Sequence, residues 1–396
     1  MISQRIQNLA PSATLAMSQK SAELKAAGVN VINMSVGEPD FNTPEFIKDA
    51  AKRAIDENYS RYSPVPGYLS LREAICDKLR KENKLEYSPS QIVVGNGAKQ
   101  ELCNTILSVI NPGDEVIIPT PAWVSYVEMV KLAEGKSVFV PAGLDNDFKI
   151  TPALLEEAIT DKTKLLLLNS PCNPTGSVYS PQELEELAVV LRNHPDVLIM
   201  SDEIYEHINF VDGVSSIALC DGMKERTIII NGVSKAYAMT GWRAGFMAAP
   251  EVIAKACTKL QGQYTSGPSS ISQKAAEAAY RGPQDCVEEM RKAFERRRDL
   301  ICGLAAEIPG WKVNKPQGAF YLFPDVSAYI GTKKGDLEIK NSADYVMYLL
   351  NEAHVACVDG DAFCAPGYMR LSYATSDDNI REAMRRINAA SCKLIK

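Results

Sequence analysis

Short apolar runs alternate with longer amphipathic segments through the middle of the chain. The clearest apolar runs are residues 91–94, 115–118, 164–168, 197–200 and 227–230. Their length and composition predict buried strands. Between them, the spacing of apolar residues predicts helices over residues 98–109 and 181–193, the second with Ser180 as its N-cap and a proline in its first turn. This alternation is typical of an α/β fold, with a large, mostly parallel sheet and helices on both faces.

Beyond about residue 250 the pattern changes to long, charged helices. One is predicted over residues 284–304, and we interpret its three consecutive arginines, 296–298, as a solvated face. Two later apolar runs, residues 318–323 and 369–373, predict strands of a smaller α+β unit.

These patterns predict two domains. The large α/β domain is expected to cover residues 41–283, and the smaller α+β domain to be formed by both chain ends, residues 1–40 and 284–396. The assignment of the N-terminal segment to the small domain depends on the family resemblance described below.

The bulk composition argues against several classes of protein. A net charge of −6 is unsuited to a nucleic-acid or anionic-membrane surface, and no apolar run approaches the ~20 residues that span a bilayer. The ten cysteines include no C-x-x-C pair and the three histidines lack metal-ligand spacing, so we expect reduced thiols and no metal site. The first eight residues lack the apolar core of a signal peptide, and we expect a cytoplasmic protein.

A lysine in a turn of small residues follows the apolar run at 227–230. Lys235 stands in the sequence NGVSKAYAMTGWRAG at residues 231–245, with Arg243 downstream. Open α/β sheets bind ligands at the carboxyl ends of their strands. A lysine there, beside an anion-binding arginine, suits a Schiff base to an aldehyde cofactor that carries a phosphate. The plainer interpretation is a solvated surface lysine, and the other strand ends decide between the two.

A glycine turn follows the first apolar run. The sequence VVGNGAKQ at residues 93–100 predicts a strand, a turn and a helix start whose N–H groups would cradle a phosphate. It is similar to a dinucleotide fingerprint, but Gln100 stands where the third glycine is needed, so a nicotinamide cofactor is not expected.

Three further strand ends carry side chains suited to a flat ring. Asn173 lies in a proline-rich turn and either belongs to a plain strand-to-helix connection or donates to a ligand oxygen. Asp202, with Tyr205 one helical turn away, either caps the next helix or keeps a pyridine nitrogen protonated. Trp123 either belongs to the core or stacks on the ring. The convergence of such groups on one rim of one sheet favours the functional interpretation.

Together these motifs resemble the class I aminotransferases, which are pyridoxal 5'-phosphate enzymes of fold type I. The signatures are GEPDF at 37–41, YSPVPG at 62–67, PCNPTG at 171–176, SDEIYE at 201–206 and SKAYAMTGWR at 234–243. The similarity runs nearly end to end and is closest to the bacterial branch of aspartate and prephenate aminotransferases. It implies a homodimer with active sites at the interface, and amino-acid and 2-oxo-acid substrates exchanged by a ping-pong mechanism.

The resemblance also implies roles for individual residues around the cofactor. Lys235 would be the Schiff-base lysine and the proton carrier, and Asp202 would pair with the ring nitrogen. Asn173 and Tyr205 would bond the phenolic oxygen, and Trp123 would stack on the ring. The remaining cofactor-binding residues would be Gly97, Ala98, Lys99, Ser234, Arg243 and, from the neighbouring subunit, Tyr62.

Substrate contacts follow from the same resemblance. The planar fork of Arg370 would take the α-carboxylate in two parallel bonds, with the Gly37 backbone beside it. Lys99, Ser12 and Thr14 are associated in this branch with a distal carboxylate, which favours aspartate and 2-oxoglutarate. Asn173 and Trp123 would also contact the substrate.

Three alternatives stay open. Prephenate, aromatic or broad-range amino acids would fit an aminotransferase of the same branch. A pyridoxal-phosphate β-lyase would share the fold. A non-enzymatic regulator on an aminotransferase-like domain would need a DNA-binding helix-turn-helix and a more basic surface, which the net charge disfavours.

Overall fold

The computed structural model describes residues 1–213 and 215–395. The strands in chain order are β1 Ile32–Asn33, β2 Ile92–Gly95, β3 Glu115–Thr120, β4 Lys136–Pro141, β5 Thr163–Asn169, β6 Leu198–Asp202, β7 Thr227–Gly232, β8 Gly245–Ala248, β9 Tyr321–Leu322, β10 Lys333–Lys334, β11 Leu337–Glu338, β12 Val355–Ala356, β13 Val358–Asp359 and β14 Met369–Ser372.

The helices are α1 Gln4–Gln7, α2 Ala13–Ala26, α3 Glu45–Asp56, α4 Leu69–Asn83, α5 Ala98–Val109, α6 Val124–Leu132, α7 Pro152–Ala158, α8 Pro181–Arg192, α9 Glu251–Tyr264, α10 Ser270–Arg281, α11 Asp285–Ala305, α12 Ser342–Tyr348 and α13 Asp377–Ser391. Within the described residues, none of them is long and apolar enough to cross a membrane.

A seven-stranded sheet with the order β2-β8-β7-β6-β5-β3-β4 forms the centre of the molecule. Only β8 runs antiparallel to its neighbours, so the prediction of a mostly parallel sheet is confirmed. The five predicted apolar runs correspond to β2, β3, β5, β6 and β7. Sequence reasoning missed β4, a half-exposed edge strand, and β8, which has only four residues and begins with a glycine.

The leucine run in β5 shows how the sheet is buried on both faces. Leu165 and Leu167 pack with residues of α5, α6 and α9 on one face. Leu166 and Leu168 pack with residues of α7 and α8 on the other. Because successive side chains of a strand point to opposite faces, an uninterrupted apolar run is what a doubly covered parallel strand requires.

Two predicted helices show the local signals that start them. Helix α5 begins at Ala98, directly after the glycine turn, as predicted. Helix α8 begins after Ser180, whose hydroxyl accepts from the Glu183 amide at 3.2 Å while its own amide donates to the Glu183 carboxylate at 2.8 Å. This reciprocal capping satisfies two amides that a helix start leaves unpaired.

The chain ends meet in a smaller unit. Strand β1 pairs in parallel with β12, and β13, β14 and β9 form an antiparallel sheet beside them. The predicted strand at 318–323 is reduced to two residues, because Ala319 adopts a positive φ of 54° and the chain turns there. The boundaries at residues 40 and 283 stay a prediction.

The arginines at 296–298 correct one expectation from the sequence. Only Arg296 is solvated; Arg297 and Arg298 are 7% and 6% exposed. Consecutive helix residues are rotated by about 100°, so three of them cannot share one face. Arg297 donates two parallel hydrogen bonds to the Asp40 carboxylate, and Arg298 donates to the Pro316 carbonyl at 2.8 Å. Helix α11 is therefore tied by side chains to two separate loops.

Candidate active site

A cavity of about 370 Å³ opens at the carboxyl ends of β5, β6 and β7, beside the first turn of α5. Most residues that the sequence singled out line it. They are Ser12, Thr14, Gly37, Ala98, Lys99, Trp123, Asn173, Asp202, Tyr205, Ser234, Lys235, Arg243 and Arg370. This is the position in which open α/β sheets bind ligands.

Lys235 reaches this cavity from the turn after β7. Its Nζ donates to the Gly37 carbonyl at 2.5 Å. Burial lowers the pKa of the amine to about 8, against the attraction of Glu38. A substantial fraction of the amine is therefore unprotonated in mildly alkaline solution, which is the nucleophilic and basic form.

Asp202 ends β6 and is 3% exposed. Tyr126 Oη donates to its Oδ2 at 2.7 Å, and the Ile204 amide donates to its Oδ1 at 3.3 Å. Burial raises the pKa of Asp202 to about 6, while these two bonds oppose the rise. At neutral pH the group is a buried carboxylate that can still accept from a cationic ligand.

The turn that carries Asn173 is held by the neighbouring strand end. Asn169, the last residue of β5, donates through Nδ2 to the Asp202 carbonyl at 2.9 Å. Its Oδ1 accepts from the Asn173 amide at 2.8 Å. One side chain thus fixes the spacing between Asn173 and Asp202.

An anion site lies at the start of α5. Gly97 has a φ of +83°, and a Cβ there would lie 2.6 Å from Arg243 Nη2. A Cβ on Gly245 would lie 2.2 Å from the Ala98 amide nitrogen. The guanidinium donates to the Thr240 and Asn96 carbonyls at 2.8 and 3.2 Å. First-turn amides and a fixed arginine suit a phosphate.

A buried acid lies one turn deeper in the same helix. Glu101 is 0% exposed, and its Oε2 accepts from Asn104 at 3.5 Å while Oε1 has no partner among the described residues. Burial raises its pKa to about 8. The carboxyl is therefore largely neutral at pH 7, so it adds little negative charge behind the anion site.

Arg370 forms the opposite end of the cavity. It is 1% exposed; Nη1 donates to Asn173 Oδ1 at 2.8 Å and Nη2 to the Ser35 carbonyl at 2.7 Å. Its guanidinium carbon lies 4.4 Å from the centre of the Tyr321 ring. Nε has no partner among the described residues. A buried, oriented cation with an unused donor suits a carboxylate ligand.

A second cation lies elsewhere on the wall. Lys99 Nζ is 4.9 Å from the centre of the Trp123 ring, and burial together with nearby Arg243 lowers its pKa. Ser12 caps α2 by accepting from the Leu15 amide at 3.4 Å, and Thr14 Oγ1 is buried without a partner in the described chain. The cavity thus offers two hydroxyls as well as this second cation.

Two predicted site residues lie outside the cavity lining. Gly97 is the N-cap of α5 and shapes the anion site through its backbone. Tyr62 is 98% exposed. Its predicted role concerns a neighbouring subunit, which a single chain does not test.

Sequence reasoning missed three groups. Tyr126 bonds Asp202, Tyr321 Oη lies 2.6 Å from Tyr205 Oη, and the Ser35 carbonyl orients Arg370. Tyr126 had a usable signal, because it follows Trp123 by about one helical turn. The other two are joined to the site only by tertiary contacts.

One group of possible metal ligands lies away from this cavity, among the residues the structure describes. It consists of Glu82, Glu206 and His207. The Lys78 amine forms ion pairs with both carboxylates, at 3.6 Å from Glu82 and closer to Glu206. The cluster therefore already contains a cation.

The chain is similar to known proteins in sequence and in structure. The family model for aminotransferase class I and II matches residues 29–387. The aspartate/prephenate aminotransferase of Nitrosomonas europaea is 48% identical over 390 residues, 98% of each chain. The aspartate aminotransferase of Rhizobium meliloti superposes with a TM-score of 0.96 at 42% identity over 100% of both chains. The Thermus thermophilus aspartate aminotransferase with maleate gives 0.92 at 40% identity, over 98% of this chain and 99% of that one.

Proposed function

The chain belongs to the class I and II aminotransferases, and we propose that it uses pyridoxal 5'-phosphate to exchange the amino group between L-aspartate and 2-oxoglutarate. The observation that carries the substrate assignment is a single cavity with the buried fork of Arg370 and the Lys99 amine in its walls. Aspartate and 2-oxoglutarate each carry two carboxylates, and such a cavity provides a cation for both.

The residues present fit the cofactor. The glycine turn, the α5 amides and Arg243 suit its phosphate, and the buried carboxylate of Asp202 suits a protonated ring nitrogen. Lys235 supplies a partly neutral amine for its aldehyde. When bound, pyridoxal phosphate supplies an aldehyde that captures the substrate amine and a ring that accepts the electrons released at Cα.

The chain's own residues then have separate tasks. Arg370 and the Gly37 backbone would orient the α-carboxylate. Lys235 Nζ would take the proton from the substrate Cα and return it to the carbon on the other side of the amine nitrogen. The Asp202 carboxylate, kept ionised by Tyr126, holds a proton on the ring nitrogen. The hydrogen bond between the Tyr205 and Tyr321 hydroxyls holds these two side chains in place in the cavity wall.

We also propose a cytoplasmic homodimer. A tyrosine as exposed as Tyr62 suits a contact with a second copy, in which it would reach that copy's phosphate site. All ten cysteines are free, which suits a reducing compartment. Sedimentation of the purified protein would test the dimer.

An absorbance spectrum of the purified protein tests the activity most directly. We expect a visible band of the bound cofactor that moves to shorter wavelength with L-aspartate and returns with 2-oxoglutarate. A band that responds only to another amino acid or to prephenate would contradict the aspartate assignment but would still support an aminotransferase. Release of ammonia and pyruvate without an oxo acid would identify a β-lyase instead.

The distal cation can be tested separately. In Lys99→Ala we expect the KM for aspartate to rise about 10-fold or more, while the KM for alanine changes little, because only aspartate has a second carboxylate. Lys255→Ala, which removes an exposed lysine of α9, is the control. Equal losses for both substrates would contradict the role of Lys99.

A further inference from the structure

Residues 35–40 connect three cations that lie on different elements. The Ser35 carbonyl accepts from Arg370 Nη2 at 2.7 Å, and the Gly37 carbonyl accepts from Lys235 Nζ at 2.5 Å. The Asp40 carboxylate accepts hydrogen bonds from both terminal nitrogens of Arg297, at 2.7 and 2.9 Å. The 35–40 segment therefore touches two of the cavity's cations directly, and a cation outside the cavity anchors its far end.

The anchor is a two-bond ion pair whose arginine is buried, while the Asp40 side chain is 28% exposed. Arg297 is 7% exposed, and its guanidinium carbon lies 5.3 Å from the centre of the Phe41 ring and 5.7 Å from that of Phe294. A fork with two parallel bonds fixes direction as well as distance. Neighbouring Arg296 is 61% exposed and pairs with Asp377 at 3.1 Å, and the same carboxylate lies 3.5 Å from Arg297 Nε.

The segment has little freedom to move once it is anchored. A Cβ on Gly37 would lie 2.2 Å from Tyr321 Oη, so the backbone is already packed against that hydroxyl. At its beginning, the Ser35 amide donates to Asn33 at 2.9 Å. Movement towards Tyr321 is blocked, and movement away would lengthen the Ser35 bond that orients Arg370.

We propose that Arg297 and Asp40 are a positioning pair for the substrate α-carboxylate, holding the 35–40 segment so that Arg370 and the Gly37 backbone converge on it. Neither residue touches the substrate; they act through the segment. This inference rests on the proposed aminotransferase activity but is independent of which amino acid is used, because every α-amino acid carries this carboxylate.

The first experiment compares Asp40→Asn and Arg297→Lys, which keep shape and charge respectively, with Arg296→Lys as the matched control. Because Arg296 and Arg297 share Asp377, Arg291→Lys on the same helix, where Arg291 bonds Glu288 and Glu295, is included as a second control. We expect the two site variants to raise KM about 10-fold for both aspartate and alanine, since a small displacement of a positioning group costs this much or more. The change in kcat should be below about threefold, and the controls should match the unaltered enzyme. The double variant should be no worse than the worse single one, because the two residues act as a unit.

Hydrogen exchange provides a readout that needs no turnover. In Asp40→Asn, amides of residues 35–38 should exchange faster than in the unaltered protein, with and without cofactor, while those of β6 and β7 keep their protection. Unchanged exchange in the segment, or a KM within about twofold of the control, would overturn the proposal. A lower melting temperature and a smaller unfolding amplitude, together with a normal KM, would indicate that the ion pair only stabilises the fold. That result would also overturn the proposal.

The two proposals fail differently. If the unaltered enzyme ignores aspartate but accepts another amino acid, the substrate assignment fails and the same KM comparison is made with that amino acid. If no amino acid is transaminated, the proposed function fails, and this inference fails with it whatever the exchange data show.

Discussion

The two ends of the cavity are built in different ways. At the end proposed for the cofactor, Asp202, Lys235 and Arg243 come from the central strands and the turns beside them, and Ala98 begins α5. At the carboxylate end, Ser35, Asn173, Tyr321 and Arg370 come from four segments far apart in the chain. The first set is placed by one sheet and by the helix that follows β2. The second set combines Tyr321 of β9 and Arg370 of β14, which pair in the smaller sheet, with two loops that the Arg370 side chain joins by hydrogen bonds.

The two ends of the cavity differ in what holds their side chains in position. Strands β5, β6 and β7 are in register at Asn169, Asp202 and Ile230, so their ends can shift only if the sheet does. Arg370 instead depends on single bonds to Ser35 and Asn173. We therefore expect cofactor binding and substrate binding to be separable by mutation.

The largest effect is expected where the two ends meet. Lys235→Ala should lower kcat about 10⁴-fold or more, because it removes both the amine that receives the cofactor and the base that moves the proton. Stopped-flow absorbance with aspartate measures this loss. Lys255→Ala is the control, and retention of more than about a tenth of kcat would contradict the assigned role.

Arg370→Lys should break the carboxylate end alone. We expect kcat/KM to fall about 30-fold to several thousand-fold, which corresponds to about 2–5 kcal/mol, since the two-bond fork is lost in a buried site. Cofactor content after dialysis should stay unchanged. Arg298→Lys, a buried arginine outside the cavity, serves as the control. Loss of cofactor in Arg370→Lys would show that the two ends are not separable.

Tyr126→Phe should weaken the cofactor end alone. Without the Tyr126 hydroxyl, Asp202 loses a hydrogen bond that stabilises its ionised form against burial. The pKa of that carboxyl therefore rises, and the acid limb of the pH–kcat profile moves to higher pH. We expect kcat near pH 6 to fall about 10-fold, with less change at pH 8 and an unaltered KM. Tyr237→Phe, whose hydroxyl donates to Gln284 outside the cavity, is the control.

The smallest effect on activity is expected beneath the anion site. The pKa of Glu101 is raised to about 8 in the folded protein, so folded stability falls as pH rises from the ordinary carboxyl pKa towards 8. Glu101→Gln removes this titration, and its unfolding free energy should exceed that of the unaltered protein by about 1–3 kcal/mol at pH 8 but much less at pH 5. Urea unfolding at both pH values measures this difference in unfolding free energy, with Glu57→Gln at an exposed position as the control. The same difference at pH 5 and pH 8 would contradict a raised pKa for Glu101.

The same contrast explains what the sequence could predict. Asp202 and Lys235 each follow a buried apolar run, and the ends of parallel strands meet at one edge, so hydrophobic patterning was enough to bring them together. The same patterning predicted the fold class, while the family was predicted from the sequence motifs that resemble it; both predictions are confirmed.

Tertiary partners were not accessible from patterning. Nothing in the spacing connects Ser35 to Arg370 or Tyr205 to Tyr321, because those contacts join separate elements. The arginines at 296–298 were predicted as solvated because three adjacent charges on a helix usually are. Burial of Arg297 and Arg298 depends on acceptors that loops supply from 257 and 18 residues away.

The three adjacent arginines of α11 also limit how this chain can change in length. Their hydrogen-bond acceptors differ: Arg296 donates to Asp377, Arg297 to Asp40 and Arg298 to the Pro316 carbonyl. Inserting or deleting one residue upstream in the helix would rotate the triplet by about 100°. A neighbouring arginine would then face Asp40, but an insertion would bring Glu295 to Asp377, and a deletion would bring Asp299 to the Pro316 carbonyl. The helix should therefore tolerate many substitutions on its exposed side but few insertions or deletions.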